Sequence, residues 1–168
     1  MENIIVGVTL LICFVTDLKE RKIYNKVLLP ALIIGIGMNI WKDGLIGLKI
    51  SGFGFLMGLF FLIIPFIYGG IGAGDVKLLA TIGAIKGPKF IFYTFLATGI
   101  TGGIIALAIL VYRKKVFRTL KNIILGLKLM IISKFKIISF IGDEDKYMFP
   151  YGVAISIGAM LAFCILGA

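Results

Sequence analysis

Apolar residues occur in six long runs along the chain, and most of the charged residues fall in the short segments between them. Long apolar runs with almost no ionisable residue are typical of helices that cross a lipid bilayer. We therefore predict an all-α polytopic membrane protein with six transmembrane helices. The runs are Ile4–Val15, Val27–Trp41, Leu45–Tyr68, Val76–Ile85, Phe90–Tyr112 and Tyr147–Leu166.

The first and fourth runs are the shortest of the six and fall well below the roughly 20 residues that a full crossing needs. We predict that the first helix continues through Asp17. We predict that the fourth helix starts at Asp75 and stops at Gly87-Pro88, because glycine followed by proline ends a helix well. Each of the two short helices would then carry an aspartate at one end.

The stretch from residue 113 to residue 141 differs from the other runs because lysines interrupt it repeatedly. We predict a basic amphipathic segment in the cytoplasmic interface between helices five and six, where each basic residue gains about 1 kcal/mol from anionic lipid. A re-entrant seventh helix is the alternative, since residues 123–127 and 129–132 are strongly apolar. The lysines that interrupt it are Lys121, Lys128, Lys134 and Lys136.

Composition agrees with a membrane protein. The chain has 168 residues, 60% of them hydrophobic, and a mean hydropathy of +1.11. A soluble core of this size could not bury so much apolar surface. We expect one integral membrane domain over residues 1–168. Its first helix is expected to be retained, because Met1-Glu2-Asn3 carries no basic residue and no small-residue cleavage site follows the run.

The net charge of +10 indicates orientation rather than nucleic-acid binding, because no basic stretch interleaved with stacking aromatics occurs on a soluble domain. With the N-terminus outside, 14 of the 18 basic residues fall on the cytoplasmic side and four in the outer loops. Cytoplasmic segments are enriched in lysine and arginine. We therefore predict a multi-pass protein of the cytoplasmic membrane with both termini outside.

The residue inventory excludes several chemistries. The chain has no histidine, which removes Ser–His and Cys–His nucleophilic systems and histidine-ligated metalloproteases. Cys13 and Cys164 lie in different runs at different expected depths, so we expect no disulfide between them. They form no Cys-x-x-Cys pair, which excludes a zinc ribbon. We expect neither a metal nor a cofactor.

Two acidic residues stand apart from the other six. Asp17 ends the first helix and Asp75 opens the fourth, and because these helices run in opposite directions both carboxyls should lie at one cytoplasmic depth. Two neighbouring carboxyls can share one proton, so that one acts as a base and the other as an acid. The remaining acids are placed in loops: Glu2, Glu20, Asp43, Asp143, Glu144 and Asp145.

Simpler roles compete with catalysis at both positions. Asp17 could be a solvated helix end that Lys19 and Arg21 neutralise, and Asp75 could be only a helix N-cap. The glycine-rich run from Gly69 to Gly74 favours a site, because a flexible backbone before a buried acid lets a peptide approach closely.

The same residues carry a resemblance to a known family. Gly72-Ala73-Gly74-Asp75 resembles the Gly-x-Gly-Asp motif of polytopic aspartyl proteases. The stretch Asp17–Asn25 resembles the first-aspartate motif of type IV prepilin peptidases, with Tyr24 where those proteins have proline. Pro150-Tyr151-Gly152 is similar to a third element of that family, with Val153 where a proline often follows.

The resemblance implies a catalytic dyad of Asp17 and Asp75 that removes the leader peptide of prepilin-like substrates at the cytoplasmic face. It places the chain in the short, peptidase-only branch that serves type IV pilus, pseudopilus and archaellin systems. That branch lacks the cysteine-bearing insert that accompanies N-methyltransferase activity, so no methylation is expected. Residues in supporting or substrate-binding positions would be Gly72, Gly74, Lys77, Pro150, Tyr151 and Gly152.

Several alternatives stay open. Lys77 could instead serve only orientation, and Pro150 and Tyr151 could serve only to start and anchor the last helix. A small proton-coupled transporter or channel component is the competing function, although a proton relay needs ionisable groups near the membrane centre. A non-catalytic lipid-binding factor is a third possibility. The sequence leaves the oligomeric state and the particular substrate open.

Overall fold

The computed structural model describes residues 1–67, 69–112 and 151–167, and these ranges are helical without a β-strand. This confirms the all-α prediction for the described part of the chain. The interfacial segment predicted at 113–141 and Pro150 lie outside the described residues. The helices are α1 (Glu2–Glu20), α2 (Asn25–Ile67), α3 (Ala73–Tyr112) and α4 (Tyr151–Leu166).

Two compact units divide the chain, Met1–Gly102 with Met148–Ala168 and Gly103–Tyr147. Both aspartates, α1, α2 and α4 belong to the first unit. Of the second unit, the structure describes only the end of α3. The predicted single domain therefore stays a prediction.

Helix α2 consists of two arms that fold back on each other at Gly44. This glycine has φ 57° and ψ −130°, outside the helical region and accessible mainly to glycine. Asn39 and Ser51 would lie about 18 Å apart on a straight helix. Their side chains are instead hydrogen-bonded, with Asn39 Nδ2 donating to Ser51 Oγ at 2.8 Å. The two arms, residues 25–43 and 45–67, correspond to the second and third apolar runs.

Helix α3 turns in the same way at Gly87, which has φ 82° and ψ 177°. Residues 75 and 102 would lie about 40 Å apart on a straight helix. Both are instead close to Tyr151: Asp75 interacts electrostatically with it, and a Cβ at Gly102 would lie 3.8 Å from its ring. The predicted stop at Gly87-Pro88 is confirmed. The predicted start at Asp75 is wrong by two residues, because α3 begins at Ala73.

The first unit therefore has two ends. At the break end, formed by the start of α1, the two glycine breaks and the end of α4, Lys42 pairs with Glu2. At the aspartate end, formed by the end of α1 and the starts of α2, α3 and α4, Lys77 Nζ donates to Asn25 Oδ1 at 3.2 Å. Asp17 and Asp75 both lie at the aspartate end, as the antiparallel prediction requires.

The first arm of α3, residues 73–86, is the most buried part of the first unit. Its residues Leu78, Leu79 and Ile82 are completely buried. Glycines of α2 allow this packing. A Cβ at Gly58 would lie 2.6 Å from Ala80 Cα, and a Cβ at Gly54 would lie even closer to a backbone carbonyl oxygen of the first arm of α3. Small residues at such contacts are typical of helix packing in membranes.

Large apolar side chains face outward instead. Ile33, Phe53 and Phe60 are 68%, 66% and 67% exposed. Exposed apolar area of this extent suits lipid rather than water. By length and composition two helices are apolar enough to cross a membrane, Asn25–Ile67 and Ala73–Ala108. Six separate crossings stay a prediction.

Candidate active site

Asp17 lies in the last turn of α1 with its side chain only 5% exposed. The helix stops immediately afterwards, because Arg21 adopts the left-handed conformation (φ 52°) and its N–H closes the end on the Asp17 carbonyl at 3.0 Å. The Arg21 charge also interacts electrostatically with the Asp17 carboxyl. Asp17 is therefore not a solvated helix end, although the predicted interaction with Arg21 is present.

The Asp17 carboxyl is held by the N-terminus of α4. Its Oδ2 accepts a hydrogen bond from the backbone N–H of Val153 at 3.2 Å, and the backbone N–H of Gly152 also acts on this carboxyl. N–H groups in the first turn of a helix have no partner within the helix and carry partial positive charge, so they bind anions. Helix α4 thus supplies a binding site for the Asp17 carboxylate.

Gly152 makes this contact possible. A Cβ at this position would lie 2.8 Å from Asp17 Oδ2 and 3.0 Å from its Cγ, closer than ordinary contact allows. Only glycine therefore lets α4 approach α1 this closely at Asp17. The structure gives the predicted supporting residue a definite steric role.

Asp75 lies in the first turn of α3 and is 8% exposed. Its Oδ2 accepts a hydrogen bond from the Gly72 N–H at 3.2 Å, and its own N–H donates to the Gly72 carbonyl at 3.1 Å. This is one half of a capping box, in which a carboxylate at the third helical position satisfies the N-cap N–H. Asp75 is therefore not the N-cap itself, and capping occupies only one of its oxygens.

The other oxygen of Asp75 is available for chemistry. Asp75 Oδ1 is buried and has no hydrogen-bond partner among the described residues. Buried polar atoms are normally paired, and an exception calls for an explanation. The charge of Asp17 acts on this carboxyl, so the two groups lie within electrostatic reach of each other.

Close packing limits the size of the residue at both glycines before Asp75, and most of all at Gly74. A Cβ at Gly74 would lie 2.9 Å from Ile23 Cβ, in the segment that follows α1. A Cβ at Gly72 would lie 3.1 Å from Asp75 Oδ2. Gly74 therefore lets the start of α3 lie directly against the segment after Asp17, and this contact helps to bring the two aspartates together.

The other predicted supporting residues have different surroundings. Lys77 contacts Asn25 at the start of α2, and within the described ranges no ion pair joins it to either aspartate. Tyr151 is the first residue of α4 and interacts electrostatically with Asp75. The structure thus brings Tyr151 and Gly152 to the aspartates, while the ammonium of Lys77 is directed to Asn25.

Two neighbours of the dyad were not predicted as site residues. Val153 contributes a backbone N–H, and the sequence singled it out only as a departure from the proline, which lacks that N–H, that often occupies this position in the family. Cys13 lies one turn before Asp17, is 1% exposed, and interacts electrostatically with both aspartates. Its spacing of four residues from Asp17 was a signal that could have placed it on the same helix face.

The arrangement can support acid–base chemistry. Two buried carboxyls from α1 and α3 lie within electrostatic reach of each other, and one oxygen of Asp75 has no hydrogen-bond partner among the described residues. Like charges this close favour a state with a single shared proton. In the part of the chain that the structure describes, no group of three or more Asp, Glu, Cys or His side chains could hold a metal ion.

The fold and the site define a class: a helical membrane protein with a buried pair of carboxyl groups at one end. Comparison with known protein families identifies the family to which the chain belongs. Residues 4–107 match the model of the type IV leader peptidase family. The chain belongs to this family of peptidases, which confirms the resemblance read from the aspartate motifs. Helix α4 lies outside the matched range, so its contact with Asp17 is information from the structure.

A curated relative supports the assignment. The prepilin leader peptidase/N-methyltransferase of Bacillus subtilis (strain 168) is 33% identical over 101 residues. The match covers 56% of this chain and 39% of the relative, so the chain corresponds to well under half of that protein. No solved structure matches the chain significantly.

Proposed function

We propose that the protein is an intramembrane aspartyl endopeptidase that cleaves the leader peptide from type IV prepilin-like or archaellin-like precursors at the cytoplasmic membrane face. The observation that carries the proposal is the convergence of Asp17 and Asp75 at the start of α4. Membership of the leader peptidase family supplies the substrate class, since the curated relative is named for prepilin leaders.

The chemistry assigned to the pair is hydrolysis of one peptide bond. The ionised aspartate takes a proton from water as the water oxygen attacks the scissile carbonyl carbon. The protonated aspartate gives its proton to the carbonyl oxygen. The aspartate that took the water proton then gives it to the leaving nitrogen as the C–N bond breaks. Acid or base help of this kind contributes about 10²–10⁴-fold per group. In this proposal Gly72-Ala73-Gly74-Asp75 acts as the Gly-x-Gly-Asp element of the family.

The arrangement of the first unit supports the proposed orientation. The glycine breaks divide α2 and α3 into two arms each, which with α1 and α4 gives six helical segments for six crossings. Both aspartates lie at one end, where Lys19 is in the last turn of α1 and Arg21 and Lys22 follow the helix. We assign this aspartate end to the cytoplasm, with both termini outside, on the basis of the basic-residue rule.

The remaining parts of the proposal concern partners and the second activity of the relative. We assign no N-methyltransferase activity to the chain, because its two cysteines lie within α1 and α4 and no cysteine-bearing insert separates its helices. Anionic lipid is assigned to residues 113–141. The transporter alternative is not favoured, because the family match is to peptidases.

The dyad is tested by Asp17→Asn and Asp75→Asn. Each change keeps the size of the side chain and removes its proton chemistry, so we expect kcat/KM for leader removal to fall by at least about 10³-fold. The double variant should be hardly worse than either single one, because residues that act as a unit are not additive. Cleavage is read by mass spectrometry of the new N-terminus of a purified prepilin.

Asp43→Asn is the matched control, since Asp43 is an exposed carboxylate at the break end. Its activity should be near that of the unmodified protein. The aspartate variants should also remain folded, because a neutral amide is easier to bury than a carboxylate. Substantial cleavage by a correctly inserted Asp17→Asn or Asp75→Asn protein would end the proposal.

A further inference from the structure

The two carboxyls of the pair have unequal surroundings. Asp17 accepts a hydrogen bond from the Val153 N–H at a helix N-terminus, and the backbone N–H of Gly152 and the positive charge of Arg21 also act on it. Asp75 accepts one hydrogen bond, from the Gly72 N–H, and its Oδ1 is buried without a partner among the described residues. The asymmetry is built into the backbone and therefore holds before any substrate arrives.

We propose that this asymmetry fixes the roles of the pair: Asp17 is the ionised general base, and Asp75 carries the shared proton on Oδ1 as the general acid. Val153 is then a positioning residue that acts through Asp17. The inference rests on the proposed function, since it divides the work of that site between its two members.

The assignment follows from the effect of hydrogen-bond donors on a carboxyl. N–H donors and a helix N-terminus favour the charged form, and Asp17 has both. A charged oxygen that is buried without a partner is costly, so Oδ1, which has no partner within the described ranges, disfavours a charge on Asp75. A proton on Oδ1 removes that charge and creates an O–H donor that can point toward a substrate carbonyl.

The other groups near the pair leave this division intact. Cys13 and Arg21 approach from α1, and Tyr151 approaches from α4. Cysteine and tyrosine are ordinarily neutral near neutral pH, and arginine is always charged. The chain has no histidine. The two aspartates are therefore the pair that exchanges one proton in the working range.

Each reaction step balances under this assignment. Asp17 accepts one proton from water, and the water oxygen forms a bond to the scissile carbonyl carbon. The Asp75 proton moves from Oδ1 to the carbonyl oxygen, which gives a neutral tetrahedral diol. Asp17 then returns its proton to the amide nitrogen as the C–N bond breaks. Asp75 takes back a proton from the diol, which restores the starting state.

Infrared spectroscopy of the purified protein tests the assignment without a substrate. At about pH 6, roughly two units above the ordinary range of solvated carboxyls, a protonated carboxyl band should be present. We expect this band to remain in Asp17→Asn and to be lost in Asp75→Asn. The assignment is wrong if the protonated carboxyl band is lost in Asp17→Asn and kept in Asp75→Asn. It is also wrong if the band behaves in the same way in both variants.

A second test removes the donor while leaving both aspartates in place. Val153→Pro deletes the N–H that reaches Asp17, and proline is tolerated in the first turn of a helix. The preceding residue is Gly152, which has no Cβ to clash with the proline ring. Val153→Ala is the matched control, because it trims the side chain and keeps the N–H.

Loss of the donor should make Asp17 hold its proton to higher pH. The acid limb of the kcat/KM profile should therefore move upward by about one pH unit in Val153→Pro, with the alkaline limb unchanged. Val153→Ala should show the original profile. If the alkaline limb of the Val153→Pro profile moves instead, Asp17 is the general acid. If the profile does not change, Val153 does not position Asp17.

Failure of this division of roles can be distinguished from failure of the proposed function. If the unmodified protein cleaves no prepilin-like substrate, the peptidase proposal fails while the infrared result still reports the protonation of the pair. If cleavage depends on both aspartates but the infrared band and the pH limbs behave in the opposite way, only the division of roles fails.

Discussion

Replacing Gly152 by alanine tests the contact between α4 and Asp17 most directly. The added Cβ would lie 2.8 Å from Asp17 Oδ2, whereas ordinary contact begins at 3.4 Å. Relief of the clash needs a displacement of about 0.6 Å, the difference between these distances. The same displacement would lengthen the Val153 hydrogen bond from 3.2 Å to about 3.8 Å, beyond the hydrogen-bonding range.

We expect this change to reduce kcat/KM for leader removal by about 10- to 100-fold, because misplacement of a reacting group by less than 1 Å has effects of that size. Overpacking should cost about 1–3 kcal/mol of stability, offset in part by the gain of up to about 1 kcal/mol when alanine replaces glycine in a helix. Cleavage is measured by mass spectrometry, and folding by thermal unfolding in detergent.

Gly102→Ala is the matched control for Gly152→Ala. Gly102 also faces α4, but an added Cβ would lie 3.7 Å from Ala154 Cβ and 3.8 Å from the Tyr151 ring, at ordinary contact distance. Its activity and stability should be close to those of the unmodified protein. Full activity in a folded Gly152→Ala protein would refute the conclusion that the approach of α4 positions Asp17.

Two further predictions concern orientation and packing. In a protein without Cys13 and Cys164, a cysteine in place of Lys42 should react with a membrane-impermeant thiol reagent added from outside. A cysteine in place of Glu20 should not react. The reverse pattern would place the aspartates on the outer face and contradict the proposed orientation. Asn39→Leu should lower stability by about 1–3 kcal/mol in detergent unfolding, because three buried acceptors (Ser51 Oγ and the Ala84 and Ile85 carbonyls) lose their donor. Asn3→Leu, at an exposed site, should have little effect, and equal losses in both variants would contradict this role of Asn39.

Within the described ranges, the local pattern of apolar and polar residues was enough to predict where the helical segments lie and where two of them break. Charges and glycines interrupt the apolar runs near Gly44 and at Gly87-Pro88, and the structure turns at both glycines. Asp17 and Asp75 could be selected because the other acids fall in polar segments. The start of α3 was misplaced because Ala73 and Gly74 seemed part of a glycine-rich loop, whereas Gly72 is its N-cap.

The long-range contacts of the site could not be predicted from the sequence. Val153 and Asp17 are 136 residues apart, and the group that joins them is a backbone N–H that nearly all residues share. The need for glycine at positions 74 and 152 is likewise set by which atoms of distant segments lie opposite. Such constraints depend on how α1, α3 and α4 pack against each other. The periodicity of apolar residues along the chain does not indicate this packing.

The dependence of Asp17 on α4 has a consequence for biogenesis. A membrane protein is inserted from its N-terminus as synthesis proceeds, so α1 enters the bilayer well before residues 151–153 leave the ribosome. Until then the Asp17 carboxyl lacks the donors that hold it in place. Under the proposed function, a growing polypeptide would therefore lack the contact that positions Asp17 until the last described helix is inserted.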